Sequence, residues 1–150
     1  MGSLERNRTA GSNVSDKTGD TTRRVIAAAP LQGMDVLIVE DEAIINLDLA
    51  MSVETFGARN VVSAHSLEEA AGALDEGRFD LAILDLGLPD GDALPLAEDL
   101  RQGGVRIVFY SGDDDRTSIL SSFPGAGYVM KPATEKAWAD VFTRLGRPAA

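Results

Sequence analysis

From Met34 onward, short unbroken apolar runs alternate with stretches of helical periodicity. The runs are Val36-Leu37-Ile38-Val39, Val61-Val62, Leu81-Ala82-Ile83-Leu84, Ile107-Val108-Phe109-Tyr110 and Tyr128-Val129-Met130. Each is too short for a helix and most are rich in β-branched or aromatic side chains, which predicts strands covered on both faces. Between them, Ile45, Leu49, Val53 and Phe56 recur at helical spacing, as do Leu67, Ala70, Ala71 and Leu74 behind a Ser66/Glu69 capping box. Ala93, Leu96, Ala97 and Leu100 form a third amphipathic face, and Trp138, Val141, Phe142 and Leu145 a last one. A short helix near residues 115–122 has the fewest apolar anchors: Ile119, Leu120 and Phe123. Strict alternation of β and α elements predicts an α/β fold, a doubly wound five-stranded parallel sheet with helices on both faces.

The first 33 residues read differently. They are rich in Gly, Ser, Thr, Asn and Arg, with one apolar patch at residues 25–29, and the expectation is a flexible tail, residues 1–33, ahead of a single domain over 34–150. A chain of 150 residues has room for one domain of ordinary size. The absence of cysteine removes disulfide frameworks and thiolate chemistry and fits a reducing cytoplasm. Nothing in the sequence is long and apolar enough to cross a membrane.

Charge narrows the partners. Residues 1–33 carry five basic and three acidic side chains, whereas residues 34–150 carry nine basic and 21 acidic ones, a net −12. Such a domain repels a phosphate backbone, so direct nucleic-acid binding is disfavoured and cation binding favoured.

In a doubly wound sheet the chemistry lies beyond the carboxyl ends of the strands. There the first strand is followed by Glu40-Asp41-Glu42, the third by Asp85, the fourth by Ser111-Gly112 and the fifth by Lys131-Pro132. Any one of these charges has an ordinary explanation as a loop or helix-cap residue. Together, carboxylates delivered to one edge by two strands must be neutralised or protonated, and a hard divalent cation such as Mg²⁺, holding a few oxygen ligands and its own waters, does this. Lys131 adds a positive charge for an anion sharing the site.

These segments resemble the receiver domain of bacterial response regulators. The matching stretches are Val36 to Glu42, Leu84-Asp85-Leu86-Gly87-Leu88-Pro89-Asp90-Gly91, Tyr110-Ser111-Gly112 and Gly127 to Pro132, four stretches in order over residues 34–147. The resemblance implies a flavodoxin-like (βα)5 fold of strand order 2-1-3-4-5. It implies that Asp85 accepts a phosphoryl group, that Glu40, Asp41, Asp85 and the backbone carbonyl of Gly87 hold Mg²⁺, that Ser111 is the switch hydroxyl, that Lys131 pairs with the phosphoryl group, and that Tyr128 is an aromatic switch. It also implies a sensor histidine kinase or histidine phosphotransfer protein as donor, docking on the first helix and the loop after the fifth strand, and a downstream protein effector or a phosphorelay role.

On this reading the protein is a cytoplasmic single-domain switch that catalyses only its own phosphorylation and dephosphorylation. Two alternatives are a receiver fragment of a larger regulator and an Mg²⁺-dependent aspartyl phosphatase of the haloacid dehalogenase type. The second wants another Asp two residues after the nucleophile, where Gly87 stands. Asp113, Asp114 and Asp115 are assigned to a solvated loop and helix cap, and His65, the only histidine, to capping or solvent. The first helix carries an additional stripe, Ile44, Leu47 and Met51, either packed on the fifth helix or left for docking.

Overall fold

The structure, a computed structural model, describes residues 29–146. Each apolar run becomes a strand and each periodic stretch a helix: β1 (Asp35–Val39), α1 (Ala43–Thr55), β2 (Asn60–Ala64), α2 (Leu67–Glu76), β3 (Leu81–Asp85), α3 (Leu94–Gln102), β4 (Arg106–Ser111), α4 (Arg116–Ser122), β5 (Gly127–Met130) and α5 (Glu135–Gly146). The strands form one sheet in the order β2-β1-β3-β4-β5, every neighbouring pair parallel. Fold class and strand order are those expected.

Strand residues point alternately to the two faces, and the pleat sorts them into two cores. Val36, Ile38, Leu81, Ile83, Val108, Tyr110 and Val129 pack with α1 and α5, against Leu49, Val53, Trp138 and Phe142. Leu37, Val39, Ala82, Leu84, Ile107, Phe109 and Tyr128 pack on the opposite face with α2, α3 and α4, against Ala70, Ala97, Leu100 and Ile119. At the start of α2 the Ser66 hydroxyl accepts from the Glu69 amide at 3.0 Å. The Glu69 carboxylate accepts from the His65 amide at 3.0 Å, one residue before the usual partner, and His65 itself is exposed.

One boundary departs from expectation and one open alternative is decided. Residues 1–28 of the expected tail lie outside the described residues, but Ala29–Gly33 belong to the domain and correct the boundary at 33. Leu31 is fully buried, its amide donates to the Phe56 carbonyl at 3.0 Å, and the Gly33 amide donates to Gly57 at 3.2 Å. Gly57, at φ +105°, takes a conformation few other residues adopt, and a Cβ there would stand 2.9 Å from that of Ala29. The segment is held because it caps the end of the core between α1 and α5. The stripe of Ile44, Leu47 and Met51 had two readings open, packing on the fifth helix or docking. These residues are 77%, 60% and 58% exposed, so packing on the fifth helix does not occur.

Gly127 shows how tightly β5 and α5 meet. A Cβ there would stand 2.4 Å from Val141 Cγ2 and 2.9 Å from Leu145 Cδ1. Overpacking of this kind costs about 1–3 kcal/mol. Gly127→Ala is expected to lower the denaturant midpoint accordingly; an unchanged midpoint would mean that α5 slides away without cost.

Candidate functional site

The pleat that sorts the core also sorts the site. Glu40 continues the Val36, Ile38 parity of β1, Asp85 continues Leu81, Ile83 of β3, and Lys131 continues Val129 of β5, so all three belong to the α1/α5 face. Gly112 holds the matching position after β4, and Tyr110, one pleat below it, lies under the lysine. Ser111 and Tyr128 have the opposite parity and belong to the α2, α3, α4 face.

Glu40 and Asp85 are buried, at 1% and 2% exposure, while Asp41 is exposed. One ligand oxygen from each of the three lies within 4.8 Å of the others. Lys131 Nζ lies 3.1 Å from Asp85 Oδ1 and 3.3 Å from Glu40 Oε1, and 4.7 Å from the centre of the Tyr110 ring. The Gly87 amide donates to Asp85 Oδ1 at 2.8 Å, and the Glu42 amide to Glu40 Oε2 at 2.9 Å. Both donors to Asp85 therefore meet Oδ1. Predicted residues Glu40, Asp41, Asp85, Gly87 and Lys131 come together as one constellation.

One ammonium does not balance three carboxylates. Burial, and secondarily the charge of Asp85, pushes the Glu40 carboxyl up to about 7. Burial works against the Lys131 ammonium, but hydrogen bonding and charge from Asp85 and Glu40 prevail and raise its pKa. The donor set is all oxygen, rich in carboxylate and short of positive charge, which fits a hard divalent cation.

Ser111 and Tyr128 form a second, adjoining group. Ser111 Oγ accepts from the Asp113 amide at 3.0 Å, inside the β4–α4 loop. Tyr128 is 6% exposed, and its hydroxyl donates to the Asp113 carbonyl at 2.6 Å and to the Asp115 carboxylate. Burial and the Asp115 hydrogen bond raise the Tyr128 pKa. Asp115 precedes α4 but makes no side-chain cap; its carboxylate is taken by Tyr128, which corrects its assignment to loop and cap.

Two contributors were not singled out beforehand. Asn46 on α1 is 1% exposed and its amide nitrogen donates to the Glu40 and Ala64 carbonyls, at 2.9 and 3.1 Å, tying the ends of β1 and β2 together beside the acidic pair. A polar residue on the buried side of an apolar helix was the signal available for it. The sequence places Tyr110 in β4 and in the Tyr110-Ser111-Gly112 stretch without a role of its own, and its place beneath Lys131 follows from parity across β4 and β5.

Residues 36–141 match the sequence pattern of the response regulator receiver domain. The chain belongs to that family. Among relatives, the receiver segment is 36% identical over 101 residues to the KDP operon transcriptional regulatory protein KdpE of Escherichia coli K12, covering 65% of this chain and 44% of that protein. It is 38% identical over 105 residues to the virulence transcriptional regulatory protein PhoP of Salmonella typhimurium, covering 66% of this chain and 46% of that one. The chain thus spans about half the length of these relatives. A solved response regulator from Burkholderia pseudomallei, with a phosphorylated aspartic acid, a calcium ion and citrate, superposes with a TM-score of 0.62 at 25% identity, covering 72% of this chain and 65% of that one. Receiver domains generally bind a divalent metal at an acidic site, and the carboxylate cluster described above occupies that place. Among the described residues no helix is long and apolar enough to cross a membrane.

Proposed function

We propose that this receiver domain is a phosphorylation switch whose acceptor is Asp85. The observation that carries the reading is a buried carboxylate at the end of the central strand, touching one ammonium and clustered with two further carboxylates. Asp85 Oδ2, the oxygen that neither the Gly87 amide nor Lys131 holds, attacks the phosphorus of a phosphohistidine on a sensor kinase or phosphotransfer protein. The P–N bond breaks as the P–O bond forms, and the imidazole leaves as a neutral ring after taking up a proton. A carboxylate is competent for this step if the negative charge on the phosphoryl oxygens is offset. Lys131 supplies part of that offset. A bound Mg²⁺, held by Glu40, Asp41, Asp85 and the Gly87 carbonyl, would supply the rest as a charge-neutralising clamp. The chemistry stays on the protein's own side chain, and the protein turns over no other substrate. The absence of a second Asp at Gly87 weighs against the phosphatase alternative.

The phosphorylated aspartate in the Burkholderia relative supports the reading. The new group brings a bulky set of acceptor oxygens to the boundary between the two pleat faces. Ser111 would turn its hydroxyl proton from the Asp113 carbonyl to a phosphoryl oxygen, loosening the loop that also holds Tyr128. Output therefore falls on α4 and its flanks, through a protein partner or onward phosphotransfer. The transcriptional role in the names of KdpE and PhoP belongs to proteins more than twice as long as the matched segment. The acidic charge of residues 34–150 disfavours DNA contact by the domain itself, which we place in the cytoplasm with the kinases that serve it.

Beryllofluoride, which mimics the acyl phosphate, tests the switch. Amide signals from Ser111 through Lys131 should shift more than those of α1, α2 and α3. Shifts confined to residues touching Asp85 would show binding without switching and would favour a relay intermediate over an effector. A second experiment addresses the donor. Leu47→Asp, at an exposed position, should leave stability within about 0.5 kcal/mol. It should slow transfer from a kinase while leaving labelling by a small phosphodonor unchanged; equal slowing of both would remove α1 from the docking face.

A further inference from the structure

Of the buried strand residues that line the core shared with α1 and α5, all but Tyr110 are aliphatic. Another branched aliphatic residue would serve the packing of a sheet covered on both faces, so packing alone does not ask for a ring here. Its neighbours do. Tyr110 is the register partner of Asp85 on one side and of Val129 on the other. Strands stand about 4.8 Å apart and the pleat turns these side chains to one face, so the ring lies beside the acceptor carboxylate and one pleat below Lys131. The ring is also braced from behind. Trp138 stands against it with centroids 5.1 Å apart, and Trp138 is stacked in turn on Phe142 at 5.5 Å.

We infer that Tyr110 is a positioning residue for phosphoryl transfer: its ring face holds the Lys131 ammonium at Asp85 Oδ1 and so keeps Oδ2 open to the incoming phosphorus. The inference rests on Asp85 being the acceptor. An ammonium has three N–H groups, and Lys131 Nζ has three neighbours for them: Asp85 Oδ1 at 3.1 Å, Glu40 Oε1 at 3.3 Å and the ring centre at 4.7 Å. An aromatic face carries partial negative charge and attracts a cation, the more so where water is partly excluded, and the Lys131 side chain is only 24% exposed. The four-carbon stem of lysine is flexible, and two carboxylates alone leave the nitrogen free to swing about the line between them. The ring adds a third fixed point. With an aliphatic side chain in its place, Nζ can cross Asp85 and cover the oxygen that must attack.

Geometry and rate are tested separately. Protons above an aromatic face resonate upfield, so the Lys131 ε-methylene signals of the unaltered protein should lie upfield of those of Lys136, whose side chain is exposed. Coincident signals overturn the inference, and this measurement needs no variant. With Mg²⁺ and a small phosphodonor, Tyr110→Leu should be labelled about 3- to 30-fold more slowly than the wild type, the rate equivalent of a partly desolvated cation–π contact. Tyr110→Phe keeps the ring and should restore the rate. In a Lys131→Ala background the ring has no ammonium to place, so Tyr110→Leu should slow labelling no further. A Tyr110→Leu rate equal to that of the wild type overturns the inference, and so does the same fold loss in both backgrounds, because Tyr110 then acts through packing. Labelling that fails in the wild type, or that survives in Asp85→Asn, strikes the functional reading and this inference with it, whereas the preceding outcomes strike the inference alone.

Discussion

Asp85→Asn is expected to abolish phosphoryl incorporation while the protein stays folded. The substitution keeps the shape of a side chain that is 2% exposed and removes the nucleophilic charge. Its Oδ1 can still accept from the Gly87 amide, so the turn after β3 is preserved. Incubation with a small phosphodonor and Mg²⁺ should add the mass of one phosphoryl group to the wild type and none to the variant. Lys131→Ala is the informative companion. It removes the ammonium 3.1 Å from Asp85 without touching the nucleophile, so some labelling should persist, but the amide shifts from Ser111 to Lys131 should vanish. Labelling retained in the asparagine variant would mean that another group, Glu40 or Asp41, accepts the phosphoryl group.

The second large effect concerns metal and pH together. Because burial and Asp85 hold the Glu40 carboxyl up at about 7, against an ordinary value of 4.5, the fold favours its protonated form when no cation is bound. The stability this contributes is fully present below the ordinary value and is lost as pH rises through about 7. In EDTA the melting temperature should therefore fall between pH 5 and pH 8, with a slope of up to about 1.4 kcal/mol per pH unit for one proton. Glu40→Gln, neutral at every pH, should flatten the profile. Mg²⁺ held at this site would stabilise by mass action, about 1.4 kcal/mol at ten times its dissociation constant, and should do so most at the alkaline end, where the carboxylates are ionised. Asp41→Ala should lose most of that response. A profile flat in EDTA would remove the raised Glu40 carboxyl, and a Mg²⁺ response unchanged in Asp41→Ala would place the ion elsewhere, for instance at residues 113–115.

Much of this site was legible because its elements obey local rules. The runs at β1, β3, β4 and β5 are unbroken because both sheet faces are covered, and the residues after them mark the edge where chemistry belongs. Ser66 and Glu69 announced the start of α2, although the carboxylate chose the His65 amide. The short α4 was correctly anticipated from three apolar anchors. The N-terminal boundary was misplaced because the residues around Leu31 have loop-like composition. Their order comes from one buried leucine and from backbone hydrogen bonds to Phe56 and Gly57, which no local pattern displays.

The sequence by itself determined the alternation of elements, the strand ends and the identity of the charged residues placed there. Periodicity and turn chemistry act within a few residues, so those properties can be read along the chain. Only the tertiary structure decided which of those residues meet. Strand order brings β1 beside β3, and the pleat turns Glu40, Asp85 and Lys131 to one face and Ser111 and Tyr128 to the other. The same packing set Tyr110 beneath the lysine, drew Asp115 away from its helix to the Tyr128 hydroxyl, and left Ile44, Leu47 and Met51 uncovered among the described residues. Each of these depends on contacts between residues far apart in the chain, where parity and burial, rather than local preference, fix what a side chain touches.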